Sequence, residues 1–230
     1  MNKLILLIIF AMFFSCKETN KKQSESNTSI EANVELNKKE VEKITDEYKV
    51  VGWRSNISWR ANKIMLSHAG KITVNSGNLK MNEDKIVSGV FGFDMNTLRV
   101  ETLKGKDREN LENILKGGKV DGEGHFFNVK KFPEATFEIT KSYKKNESNY
   151  IGGKLTMNGV TENIHPFVVN FEDFPDDASK VWLTSKNFNI DRILWDINFG
   201  SKLAFEGLTD DLIIRDNVSV RLKVLLKKIK

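Results

Sequence analysis

The sequence predicts a mainly β protein, an antiparallel barrel or sandwich. Three observations carry that expectation. Short segments that alternate apolar and polar residues recur between turn signals from Lys49 to Leu226, the period of half-buried strands. Asn158-Gly159 separates two such segments, and this pair suits a type I′ hairpin turn because both central residues need φ > 0. Helical spacing is concentrated in one segment, whereas a parallel sheet needs a helix after most of its strands.

The elements follow in order. Lys49–Trp59 alternates loosely through Val51, Trp53, Ile57 and Trp59. Lys71–Met81 carries Ile72, Val74 and Leu79, and the polar Asn82-Glu83-Asp84-Lys85 marks a turn. Ile86–Met95 puts Val87, Phe91, Phe93 and Met95 on one face, interrupted by Gly89. Lys106–Lys119 differs: Leu111, Ile114 and Leu115 have helical spacing, and Gly117-Gly118 is a helix stop. A further helical turn is expected around Asn128–Lys131, before Pro133. Ala135–Ser142, Tyr150–Met157, Glu162–Phe171, Val181–Ile190 and Trp195–Phe199 read as strands. Asn217–Leu226 closes the set with Val218, Val220, Leu222 and Val224 opposite Ser219, Arg221 and Lys223. About eight strands with one or two short helices fit a barrel or sandwich.

The N-terminus has a different grammar. Lys3 precedes the apolar run Leu4–Phe14, which has the length of a signal-peptide core and falls short of the roughly 20 residues of a membrane span. It ends at Ser15-Cys16, and Cys16 is the one cysteine of the chain. An exported protein with one cysteine forms no intrachain disulfide, so that residue has another use. The segment resembles a bacterial lipobox. The resemblance implies cleavage before Cys16 and lipid attachment at Cys16, with acyl chains (palmitate among them) holding the protein on a membrane. Residues 1–15 are then a lipoprotein signal peptide. Residues 16–45, rich in Lys, Glu, Asn, Ser and Thr, have too little apolar content for a core and read as a tether with a reach of about 30 Å. Residues 46–230 form one domain of ordinary size.

Composition narrows the function classes. Fifteen Phe and four Trp supply large core side chains, and the net charge is +5. The lysines are dispersed, with no basic-aromatic cluster or Arg-rich helix, which argues against nucleic acid as a partner. The three histidines, His68, His125 and His165, lack metal-ligand spacing. There is no G-x-S-x-G elbow, and Gly117-Gly118 and Asp121-Gly122-Glu123-Gly124 lack the strand-before, helix-after setting of a phosphate loop. No catalytic residue, metal ligand or cofactor is assigned.

The domain resembles the YceI-like family. Tyr150–Val169 is similar to the family's G-x-L-T-x-x-G-V-T hairpin, and His68-Ala69-Gly70-Lys71-Ile72 to its H-x-G-x-I/F segment. Ser88–Met95 resembles G-x-F-x-I-D-M. Phe126-Phe127-Asn128-Val129 followed by Lys131–Phe137 resembles F-F-D-V…K-Y-P-x-A-T-F. Phe188–Arg192, Trp195 and Gly200 echo F-x-I-x-R…W-G…G. His125 stands where the family has an acidic residue, Phe171–Ser185 carries an acidic loop, and Asp191–Trp195 is looser than R-x-D-W/F. The resemblance implies an eight-stranded antiparallel up-and-down barrel, lipocalin-like, that binds polyisoprenoid or related long-chain amphiphiles. Such a barrel is just wide enough to be filled by side chains or to hold one small ligand. Alternating inward residues put Phe91, Phe93, Phe137, Leu155, Phe188 and Val220 on a cavity wall. Trp195 and Trp59 lie between plain core and wall. His68 and Arg192 are the polar candidates: either they meet a ligand headgroup, or His68 caps a turn and Arg192 pairs with a carboxylate.

The expected function is a membrane-tethered lipid carrier, store or scavenger. Its expected place is the periplasmic face or cell surface of a Gram-negative outer membrane, with which Lys17-Glu18 is compatible. A homodimer is left open. The alternative is a structural or stress-response lipoprotein with a filled barrel that acts through a protein partner. A hydrolase built around His68 and His125 ranks third.

Overall fold

The computed structural model describes residues 43–118, 126–203, 207–210 and 212–230, all in one compact unit, Val41–Lys230. Cys16, nearly all of the expected tether and His125 lie outside the described residues. Among the described residues ten strand segments form one antiparallel sheet: β1 (Asp46–Val50), β2 (Asn56–Asn62), β3 (Ser67–Asn82), β4 (Lys85–Val100), β5 (Glu134–Lys145), β6 (Ser148–Met157), β7 (Val160–Asp173), β8 (Lys180–Ser185), β9 (Phe188–Asp191) and β10 (Asn217–Lys228). Among the described residues there is one α-helix, α1 (Gly105–Leu115), between β4 and β5 in sequence.

The ten segments make eight staves. β1 and β2 both lie between β3 and β10 at successive registers, Tyr48 opposite Leu79 and Trp59 opposite Gly70. β8 and β9 likewise share β10, with Leu183 opposite Val224 and Phe188 opposite Val220. Every other neighbour is consecutive in sequence, and β10 meets both β8 and β2, so the sheet closes on itself. This is an up-and-down barrel.

The two broken staves expose a difficulty and its remedy. Where β1 stops and β2 begins, β10 loses a ladder partner, and a buried peptide N–H without an acceptor is costly. Buried Ser55 supplies one: Leu225 N donates to Ser55 Oγ at 2.9 Å, and Ser55 Oγ donates to Val51 O at 2.8 Å. At the β8–β9 break, Leu222 N donates to buried Ser185 Oγ at 2.8 Å. Neither break is visible in hydrophobic alternation, which runs through both as one strand.

Turn chemistry matches expectation at the β6–β7 hairpin. Asn158 has φ 53° and Gly159 φ 82°, the double positive φ of a type I′ turn. Glu83 takes a positive φ in the β3–β4 turn. The α1 helix ends close to expectation, with Gly117 at φ 102° and its N–H bonded to Ile114 O. Asn128–Lys131 is a tight turn in which Phe132 N donates to Asn128 O at 2.7 Å.

One expected strand is absent. Arg192–Trp195 is a 3-10 turn, capped by Asp191 Oδ1 accepting from Ile193 N, and Asp196 ends it at φ 58°. Trp195 and Ile197 are buried because this turn folds over the barrel end, not because they alternate along a strand.

The core is uneven along the barrel axis. The end holding the β3–β4 and β5–β6 turns is filled by Leu79, Ile151, Val169, Leu183, Val224 and Leu226, all fully buried. The other end holds the β2–β3 turn, the α1 connection, the β6–β7 hairpin and the 192–216 connection.

Candidate functional site: an apolar cavity under helix α1

That second end is hollow. A cavity of about 320 Å³ lies there, at the small end of the roughly 300–1,000 Å³ typical of ligand pockets. Its walls are inward residues of the staves: Ile57 and Trp59 of β2, Ile72 of β3, Phe93 and Met95 of β4, Leu155 and Met157 of β6, and Val218 and Val220 of β10. Leu111, Ile114 and Leu115 on one side of α1, with Phe126 and Phe127, line it as well. Phe127 N donates to Leu115 O at 3.1 Å, which fastens the following segment to the helix end.

Strand register explains where the hollow stops. Phe93 pairs with Ala135 and both line the cavity; two residues along, Phe91 pairs with Phe137 and neither does. Phe137 packs on Phe167 at 6.0 Å between ring centroids, and Phe167 stacks on Phe188 at 3.9 Å. These rings form a floor. Phe93, Leu155 and Val220 thus stand on the wall as expected. Phe91, Phe137 and Phe188 do not: inward direction is common to wall and floor, and only depth along the strand separates them. Trp195 is also off the wall. Its Nε1 donates to Leu155 O at 3.0 Å and its carbonyl accepts from Asn158 Nδ2 at 3.1 Å, so it pins the 3-10 turn to the β6–β7 hairpin.

Both polar candidates reach the cavity, in different roles. Arg192 is 4% exposed. Nε donates to Arg215 O at 3.3 Å, Nη2 to Ile214 O at 3.0 Å and to Asp216 Oδ1 at 3.1 Å, and Nη1 to Ile197 O. Burial pulls its pKa down, and Asp216 and then Asp191 oppose that shift. Nearly all its donors are spent on the chain itself, so Arg192 clamps the 192–197 turn to residues 214–216 at the edge of the cavity. His68 lines the cavity end of β3, with Nδ1 3.2 Å from Thr102 Oγ1. Burial first, and the neighbouring Lys63 charge second, lower its pKa, which favours the neutral ring at neutral pH. Lys63 shares this rim. Among the described lining residues there is no carboxylate.

The helix stripe Leu111-Ile114-Leu115 was readable, but a stripe does not say what it faces. Among the described residues, no three His, Cys, Asp or Glu side chains group as metal ligands would.

The class of protein is a closed antiparallel barrel with an aromatic floor and an apolar hollow lined on one side by α1. The chain belongs to the YceI-like domain family, whose model matches residues 48–226. Among solved structures it is similar to a polyisoprenoid binding domain from Saccharophagus degradans implicated in plant cell wall breakdown. That match has a TM-score of 0.52 and 12% identity, covering 78% of this chain and 97% of that one. A YceI protein from Campylobacter jejuni is also similar, with a TM-score of 0.46, 18% identity, and 66% and 79% of the two chains covered. No curated protein matches the chain.

Proposed function

We propose that the protein is a membrane-tethered carrier that holds one apolar chain of an isoprenoid or acyl amphiphile inside the barrel. The observation that carries this reading is the 320 Å³ hollow with its almost wholly apolar wall. Burying ten methylenes contributes roughly 8 kcal/mol gross at about 0.8 each, and ordering costs reduce it. Such a chain therefore binds usefully with little polar help. The family membership and the polyisoprenoid-binding neighbour support the same ligand class.

Native mass spectrometry of the full purified chain, with organic extraction of what accompanies it, tests the reading. One prenyl or fatty-acyl species per chain is expected. An unchanged apo mass after incubation with isoprenoid quinones and fatty acids would reject it.

Tethering through acylated Cys16, at the periplasmic face or surface of a Gram-negative outer membrane, is the second half of the proposal. It rests on the lipobox-like sequence. Cys16→Ser is expected to move the protein from the membrane pellet to the soluble fraction and to remove the acyl mass. Fractionation identical to the unaltered chain would reject tethering.

One observation favours a protein partner as a second reading. Ile64, Met65 and Leu66 in the β2–β3 turn are 47%, 89% and 55% exposed, beside the cavity.

A further inference from the structure

No basic-aromatic cluster is visible along the sequence, yet the fold assembles one on the outside of the barrel. Val224 and Leu226 belong to the core, so Lys223, Leu225 and Lys227 of β10 stand on the outer face. Register carries that face onto both neighbouring staves. Lys227 lies opposite Lys49 of β1 on one side and opposite Lys180 of β8 on the other. Three lysines thus stand in one row across three adjacent strands, about 10 Å wide at the usual strand spacing. Like charges directly opposite each other destabilise a sheet. Lys180 is paired with Asp177 at 2.6 Å, but among the described residues neither Lys49 nor Lys227 has an ion-pair partner, and both are exposed.

The next row is aromatic. Trp182 lies opposite Leu225, which is only 1% exposed although it is on the outer face, so side chains cover it there. The Arg54 guanidinium is 5.2 Å from the Trp53 ring centroid, 5.0 Å from Phe174 and 5.7 Å from Trp182. Lys223 Nζ stands 4.5 Å from the Trp182 ring. All four are cation–π distances. Trp53 itself is 82% exposed. Indoles beside cations suit a membrane–water interface, where the ring finds an apolar layer, its N–H stays wet, and lysines meet anionic headgroups. A nucleic-acid strand fits less well. Cations already stand over the Trp182 and Phe174 rings on which bases would stack, and Asp173, Asp176 and Asp177 border the patch at the β7–β8 connection, closing the path of an extended polyanion.

We infer that the outer face of β1, β10 and β8 docks on an anionic lipid bilayer. Lys49, Lys227 and Lys223 meet headgroup phosphates, and the Trp53 ring enters the headgroup layer. In the free protein the lysine row is only a cost; against an anionic surface the same row is attractive. This surface is separate from the cavity and from Cys16, so it stands whatever the barrel holds and however the N-terminus is processed.

The test is co-sedimentation of the full chain carrying Cys16→Ser with phosphatidylcholine vesicles, with and without phosphatidylglycerol. Binding is expected to be about tenfold or more tighter on the anionic vesicles and to weaken as salt rises. Lys49→Gln combined with Lys227→Gln is expected to weaken anionic-vesicle binding by about tenfold or more, at several-fold per charge. Its urea midpoint should stay the same or rise, because a like-charge contact is removed. Tryptophan emission is expected to shift to the blue on binding, and Trp53→Phe to lose most of that shift, which insertion of another part of the chain would leave in place. Equal binding to both kinds of vesicle, or an unchanged affinity in the double lysine variant, would overturn the proposal. Tighter binding of a single-stranded DNA oligonucleotide than of anionic vesicles would overturn it as well, and would assign the face to nucleic acid.

Discussion

Arg192→Ala is expected to destabilise the domain by about 3 kcal/mol, since several hydrogen bonds from a buried charged group are lost while the Asp216 carboxylate, 23% exposed, is partly solvated. The reason is what remains behind. Arg192 answers the carbonyls of Ile197, Ile214 and Arg215 and the carboxylate of Asp216. Alanine would leave those acceptors in a place where the arginine is 4% exposed. Arg192→Lys keeps the charge but has no planar fork to span four acceptors, so it should recover only part of the loss. Urea unfolding reads this as a lower midpoint at unchanged slope. In a domain of this size the melting temperature should fall by roughly 10 °C. A variant that unfolds at the same urea concentration as the unaltered chain, yet takes up no ligand, would reverse the assignment and make Arg192 a ligand contact.

Gly70→Ala is the second large effect, and its cause is space. A Cβ there would stand 1.8 Å from Arg99 O and 2.7 Å from Trp59 Cζ2. Arg99 O belongs to the β4 backbone, which is paired to β3 through this region, so relief requires a strand to move. Overpacking of this kind costs about 1–3 kcal/mol, occasionally more, and the upper part of that range is expected. The displaced indole should also change tryptophan emission and weaken ligand uptake, two readouts a purely global loss of stability would not produce under native conditions. Unchanged stability and emission would show that β3 and β4 can separate here at little cost.

Much of this fold is legible in the chain. The alternation in β10, the Asn158-Gly159 turn and the helix stop at Gly117 stand where local chemistry puts them. The broken staves were hidden, because Ser55 and Ser185 repair the ladder with side chains and the apolar pattern passes over the gaps. The strand expected at Trp195–Phe199 shows the limit from the other side. Its apolar residues are buried by a 3-10 turn held by Arg192, a long-range arrangement that local spacing does not encode. The site divides along the same line. Alternation identifies which residues point inward, so Phe93, Leu155 and Val220 were found with Phe91, Phe137 and Phe188. Pairing register separates the first three from the last three. Alternation leaves Trp59 open between core and wall, and the register with Gly70 puts it beside the hollow.

The β10 seam has a consequence for how the barrel comes into being. β10 is the last stave, and it joins the first, with Val50 opposite Leu226. All the other neighbouring staves can pair as soon as they are made, because each follows its partner. Closure waits for the final one. Until it arrives the sheet has two open edges, the condition under which strands recruit strangers, and joining the most distant parts of a chain is slow. Ser55 and Ser185 stand on either side of the slot that β10 fills, with their hydroxyls turned to its amides. They make the last arrival a fit to two half-built neighbours, and they set the moment at which a sticky ribbon becomes a sealed container.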